Sequence, residues 1–177
     1  MNKKGLRINY GCGDEDTNTN RSSIGDLIGI DIRPCKGVDI VLGEDRIIPL
    51  EDNSVEYIFT SNVLEHVEDL FKTISEFYRI CRNDAIIEIY VPHFSSTKTH
   101  FEYHRRSCRY SFLDCHCNNA LSSYPKYFDT LERKLIMSPR WKILEKLFNK
   151  HHTLFEDSIL SSMFTCFEVY VKLKVVK

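Results

Sequence analysis

Leu6-Arg-Ile-Asn-Tyr-Gly-Cys-Gly13, followed by Gly29-Ile-Asp31, is the stretch on which the reading of this chain turns. Leu6 to Tyr10 has the composition of a short strand, and it stops at Gly11-Cys12-Gly13. Two glycines one residue apart after a first strand let the backbone turn sharply and come close to a ligand. Asp31 closes a second run of strand-forming residues, Leu27 to Ile32. A carboxylate at that place can accept hydrogen bonds from both hydroxyls of a ribose. The spacing therefore points to a nucleoside-cofactor site, with the rest of the chain as scaffold and acceptor pocket.

Outward from there, a polar loop over residues 14–24 follows the glycines. Its Asp14, Asp16 and Asn18 mimic the start of a calcium loop, but Thr19 and Gly25 stand where glycine and glutamate are required. Pro34 to Gly37 turns the chain into a third strand, Val38 to Leu42, and Val55 to Thr60 reads as a fourth. After Ser61-Asn62 a helix is expected from about Val63, its apolar stripe Val67, Phe71, Ile74, Phe77 or Tyr78 and Cys81, with Arg79 largely outside. Asn83-Asp84 breaks it, and Ala85 to Val91 supplies a fifth strand ended by Pro92.

Short apolar runs in this order argue for an open α/β sheet, which binds ligands beyond the carboxyl ends of its strands. Gly11 to Gly13, Asp31, Asp45, Asn62 and Pro92-His93 all lie at such ends, so they should converge. Beyond His93 the pattern becomes irregular, with one short helix expected near Cys108 to Asn118. Phe128 to Met137 reads as a sixth strand. Ser138-Pro139 is a helix start signal ahead of Trp141, Leu144, Leu147 and Phe148, and Cys166 to Val176 alternates as a last strand.

The 177 residues favour one domain, 1–177: a cofactor-binding half over 6–92, an acceptor or lid excursion over 93–137, and C-terminal helices with the last strand over 138–177. Twenty-four basic residues balance 25 acidic ones, so no global field draws the chain to nucleic acid or membrane. With no long apolar run and no leader pattern, a cytoplasmic location is expected. The seven cysteines are scattered and odd in number, which reads as free thiols, and the Asn20-Arg21-Ser22 triplet carries no meaning in that compartment.

Asn9-Tyr-Gly-Cys-Gly13, Gly29-Ile-Asp31, Ile48-Pro-Leu-Glu-Asp-Asn-Ser-Val-Glu-Tyr57 and Asn62-Val-Leu-Glu-His-Val67 together resemble the class I S-adenosylmethionine-dependent methyltransferases, and most of all the small bacterial and archaeal type often associated with cell-surface polysaccharide pathways. The resemblance covers residues 6–92 well and the end of the chain loosely. It implies a Rossmann-like, mostly parallel sheet of seven strands with an antiparallel C-terminal strand and helices on both faces. It also implies S-adenosylmethionine as cofactor. Gly11, Cys12 and Gly13 would contact its methionine part, Asp31 the ribose, Ile32, Asp45 and Arg46 the adenosine end, and Asn62 the methionine side. Two departures stand out. Asp14 replaces a third glycine, and Arg82-Asn83-Asp84-Ala85 replaces the usual Lys-Pro-Gly-Gly turn.

Transfer to oxygen or nitrogen of a small molecule or sugar calls for a base tuned near neutral pH. His93, expected at the mouth of the cleft, and His66, expected to open the helix beside Glu65, are the candidates; the bland alternative for each is a loop or structural histidine. Residues 98–112 mix basic groups with aromatics, and Arg105, Arg106 and Arg109 could grip an anionic acceptor or simply form a solvated face. His100, His104, Cys108, Cys115, His116 and Cys117 could furnish zinc, but Cys115-x-Cys117 lacks the usual two-residue gap and has no second knuckle, so no metal is expected. A non-catalytic or regulatory cofactor-binding protein is the main alternative. A nicotinamide-dependent oxidoreductase would want a third glycine opening a helix directly.

Overall fold

The structure, a computed structural model, describes residues 5–14, 26–96, 104–117 and 126–177, with the side chains of Cys115 and His116 left aside. Seven strands form one sheet: β1 (Leu6–Tyr10), β2 (Ile28–Asp31), β3 (Ile40–Val41), β4 (Val55–Ser61), β5 (Cys81–Pro92), β6 (Phe128–Met137) and β7 (Cys166–Val175). Their order is β3-β2-β1-β4-β5-β7-β6. Pairings from β3 to β5 are parallel, while β5–β7 and β6–β7 are antiparallel. Only β7 therefore runs against the rest, which is the Rossmann-like arrangement expected. The order reverses between β1 and β4, and such a switch point opens a crevice at the carboxyl ends of the strands.

The register explains the core. Ile8, Ile58, Ile87 and Leu173 stand in one row, and Tyr10, Thr60, Ile89 and Val171 in the next. All are buried. Helix α1 (Leu70–Ile80) packs on this face through Phe77, whose ring meets Tyr10 edge-on at 4.9 Å. Side chains on the opposite face cover one another: Arg7 lies over Tyr57, the Tyr57 hydroxyl donates to Glu88, and Lys172 pairs with Glu88 at 2.9 Å.

Several boundaries differ from the sequence expectation. α1 starts at Leu70, not near Val63, because Asp69 caps it by accepting from the Lys72 amide at 2.9 Å. Its buried stripe is Thr73, Ile74, Phe77 and Ile80, leaving Phe71 exposed. β5 begins at Cys81 with a register shift opposite Val55, and Asp84 sits there at φ 62°. A short acidic side chain tolerates the left-handed region, so Asp84 does what a glycine does in the expected turn. β3 shrinks to two residues, the 108–118 helix to α2 (Asp114–Cys117), and Pro139–Leu144 is a 3-10 turn ahead of α3 (Glu145–Lys150). Helices α4 (His152–Glu156) and α5 (Leu160–Met163) complete the chain before β7. No helix among the described residues is long and apolar enough to cross a membrane.

Candidate functional site

At the carboxyl end of β1 the backbone turns at Gly11 (φ 70°) and Gly13 (φ 59°). The two glycines serve different ends. A Cβ on Gly11 would strike Val63 at 2.2 Å, so its bareness lets the loop seat on the segment after β4. A Cβ on Gly13 would meet nothing within 4 Å among the described residues. Gly29 is bare for packing too, since a Cβ there would lie 2.3 Å from the Gly37 carbonyl.

Asp31 is buried at the end of β2 and reaches across to the glycine loop. Its Oδ2 accepts from the Gly13 amide at 2.8 Å and its Oδ1 from the Arg33 amide at 3.0 Å. An ionised carboxylate has about four lone-pair positions, and the bonds among the described residues take two of them. Ile32, next along, is half exposed. Asp45 and Arg46 lie just past β3, where Asp45 Oδ1 accepts from the Ile47 amide at 3.2 Å and Arg46 adopts φ 57°. Burial chiefly raises the Tyr10 phenol, which also feels Arg46 and Asp31, so both charges lie near this one buried ring.

Asn62 takes φ 55° at the end of β4, donates its backbone amide to the Tyr90 carbonyl at 2.9 Å, and turns its side-chain amide toward Ser61 and Glu168. The expected residues thus follow the carboxyl ends of parallel strands β1 to β4.

Two histidine placements are corrected. His66 does not open a helix; it sits in a turn between β4 and α1, its amide bonded to the Val63 carbonyl at 2.9 Å. Its side chain is 42% exposed. His93 follows β5 as expected but is fully buried, not at the mouth of a cleft. Its Nδ1 is 2.9 Å from Ser95 Oγ and its Nε2 is 3.1 Å from Glu156 Oε1. Because the Ser95 amide also donates to Nδ1, the proton belongs on Nε2, pointing at the carboxylate. Glu156 further accepts from the Tyr110 amide at 2.6 Å. Burial would raise Glu156, but the bonds from His93 and Tyr110 and the charges of His93 and Arg109 together hold it below the ordinary range. These contacts tie β5, residues 108–110 and α4 into one block.

Of the arginines considered for an acceptor grip or a solvated face, Arg106 and Arg109 bond to the protein and Arg105 is largely exposed. Arg106 donates to the carbonyls of Leu64 and Glu68, Arg109 pairs with Asp157 at 2.8 Å, and Arg105 lies 3.9 Å from Glu68. Of the residues considered for zinc, His100 lies outside the described residues, as do the side chains of Cys115 and His116. Cys108 is buried, and burial pushes its thiol up to about 12, far from a ready thiolate.

Sequence reasoning missed two residues. Arg79 donates to the carbonyls of Ile48 and Leu50, to Asp52 and to Glu76, and Glu76 accepts from the Ile48 amide. This clamp fixes residues 48–52, and the signal was an i, i+3 acid–base pair on α1 facing a loop rich in carbonyls. Glu65 is the other. Fully buried beside His66, it has no hydrogen-bond partner for either carboxylate oxygen among the described residues, and burial pushes its carboxyl above the ordinary range.

Residues 9–89 match the family model described as a methyltransferase domain. The crystal structure of an S-adenosylmethionine-dependent methyltransferase from Archaeoglobus fulgidus is similar, with TM-score 0.64 and 17% identity over 97% of this chain and 87% of that one. This is the fold of the class I methyltransferases. A methyltransferase from Mesorhizobium loti follows it with TM-score 0.58 and 13% identity, covering 96% of this chain and 91% of that one. The [4+2]-cyclase SpnF shares it too, with TM-score 0.62 and 14% identity over 98% and 76% of the two chains. A search of curated proteins gave no match. The domain match spans less than half of the chain, and the likeness to these solved structures is one of fold.

Proposed function

We propose that this methyltransferase-fold chain binds S-adenosylmethionine and transfers its methyl group to an oxygen or nitrogen of a small molecule or sugar. The observation that carries the reading is the joint between Gly13 and Asp31, 2.8 Å from amide to carboxylate, with no described residue within 4 Å of where a Gly13 Cβ would lie. A backbone cradle and an acidic side chain are held as one piece, and that donor set fits a ribose flanked by a small charged group. Gly11, Cys12 and Gly13 take the methionine portion in this reading, and Asp31 the ribose diol. Half-exposed Ile32 lies against the base, Asp45 and Arg46 border it, and Asn62 lines the methionine side.

S-adenosylmethionine supplies a methyl group already attached to a positively charged sulfur. The protein's part is to hold donor and acceptor in line and to exclude water. His66 is the histidine we assign to the acceptor, because its ring is 42% exposed in the turn between β4 and α1. His93 is a positioning residue, buried between Ser95 and Glu156, that sets where residues 93–96 and 108–110 lie.

A second reading, a cofactor-binding protein without turnover, draws on the burial of His93 and on the [4+2]-cyclase neighbour, since a fold fixes scaffold and not reaction. Thermal-shift measurements with S-adenosylmethionine, its demethylated product and NAD test the shared core. The first two should raise Tm, and stabilisation by NAD alone would overturn the assignment. Transfer of label from methyl-labelled cofactor to hydroxylated or aminated acceptors separates the enzyme from the binding protein.

A further inference from the structure

We propose that Glu65, His66 and His104 form a site for one divalent metal ion of the zinc type, built at the end of β4. One ligand atom from each lies within 4.8 Å of the others. His66 Nε2 and Glu65 Oε1 are 3.8 Å apart. Ligand atoms of a tetrahedral zinc with bonds of about 2.0–2.2 Å stand roughly 3.3–3.5 Å apart, so small side-chain motions close the set.

The independent sign of a ligand is Glu65. Its side chain is fully buried, yet neither carboxylate oxygen has a hydrogen-bond partner among the described residues. Buried polar atoms are nearly always partnered, and a cation between the carboxylate and the two rings would satisfy them. The backbone prepares the site. Arg105 donates its amide to the Glu65 carbonyl at 2.9 Å, and Arg106 ties down the carbonyls of Leu64 and Glu68. Those bonds set His104 against the Glu65–His66 turn, where the two imidazole rings meet edge-on at 4.6 Å.

The chemistry of the donors names the metal class. Two imidazoles and one carboxylate suit zinc and its first-row neighbours, whereas calcium and magnesium want oxygen donors alone. Three protein ligands with the exposed His66 on one side leave a coordination position open, as catalytic zinc sites do. That position would accept an oxygen or nitrogen of the acceptor, a role that rests on the methyl-transfer reading, and the metal would lower the pKa of a bound hydroxyl. The binding site itself does not depend on that reading.

The test is calorimetric titration of chelator-treated full-length protein with Zn2+, before and after alkylation of accessible thiols. One Zn2+ per chain is expected, unaffected by alkylation, with affinity reduced at least about a hundredfold in Glu65→Gln and His104→Ala. His66→Ala, a change at an exposed ring, covers the case in which the buried variants fail to fold. The inference is overturned by no saturable binding, by binding lost on alkylation, or by His66→Ala binding like wild type. S-adenosylmethionine binding is measured separately on metal-free protein. Its persistence without Zn2+ binding removes this site and keeps the proposed function, and the converse removes that function and keeps the site.

Discussion

Replacing Asp31 by Asn isolates the charge at the centre of the proposed site with almost no change in shape. In the folded chain Asp31 accepts from the amides of Gly13 and Arg33, one on each oxygen. An amide side chain keeps one acceptor and turns an N–H2 toward the other backbone N–H, so one of these two bonds is lost. Asp31 is almost buried, and the stranded donor should cost about 1–3 kcal/mol of stability. The effect on ligand is separable. A ribose diol on Asp31 loses at least one bond to a charged acceptor, about 1.5–3 kcal/mol. At about 1.4 kcal/mol per decade, that weakens S-adenosylmethionine roughly tenfold to a hundredfold or slightly more. Calorimetric titration of wild type and Asp31→Asn at one temperature, with circular dichroism to confirm folding, measures both parts. A folded Asp31→Asn protein whose affinity stays within about threefold of wild type would refute the assignment of Asp31 to the ribose.

Further outcomes follow from the same geometry. Gly13→Ala pays only the left-handed backbone strain, about 1–2 kcal/mol, yet should abolish cofactor binding because its new methyl takes the place proposed for the cofactor, whereas Gly11→Ala adds an overlap with Val63 worth roughly another 1–3 kcal/mol; urea unfolding set beside ligand titration separates the two. Arg79→Met removes the clamp on residues 48–52 and should cost about 2–4 kcal/mol, read as a Tm drop of roughly 5–15 °C; an unchanged Tm would show the loop holds without it. Hydrogen bonds from Arg79 lower the Glu76 carboxyl, so this pair stabilises the fold above the unfolded pKa of about 4.3, and the contribution disappears as pH falls through the depressed folded value. The Tm gap between wild type and Glu76→Gln should therefore shrink below about pH 4, and a gap constant with pH would contradict this. His66→Gln should lower turnover with cofactor affinity retained, while His93→Gln should lower Tm first; turnover lost only in His93→Gln, with Tm unchanged, would reverse the roles given to the two rings.

How much of this was legible in the sequence varies by element, and the reason is range. The strand-glycine-acid order of residues 6–31 announced the sheet and the nearness of the glycine turn to Asp31, because a strand end, a bare turn and a carboxylate at the next strand end are local features that a parallel sheet brings to the same side; the bond from the Gly13 amide to Asp31 was not legible. β7 was legible through two-residue alternation and its match to a half-buried pleat. The start of α1 was misjudged because apolar Val63 and Val67 continue the periodicity into a turn that Asp69 alone terminates.

Long-range contacts decided the rest. Nothing near His93 says that Glu156, 63 residues on, will bury it, and nothing near Arg106 or Arg109 says that the carbonyls of Leu64 and Glu68 will take the donors of the one and the carboxylate of Asp157 those of the other. A charge looks available in sequence until the chain returns to meet it. The same return brings His104 to Glu65 and His66, since that juxtaposition exists only after residues 104–106 bond back to the turn following β4. The sequence by itself determined the scaffold and the place of the site; tertiary structure decided which polar groups there are spent on the fold and which are left to bind.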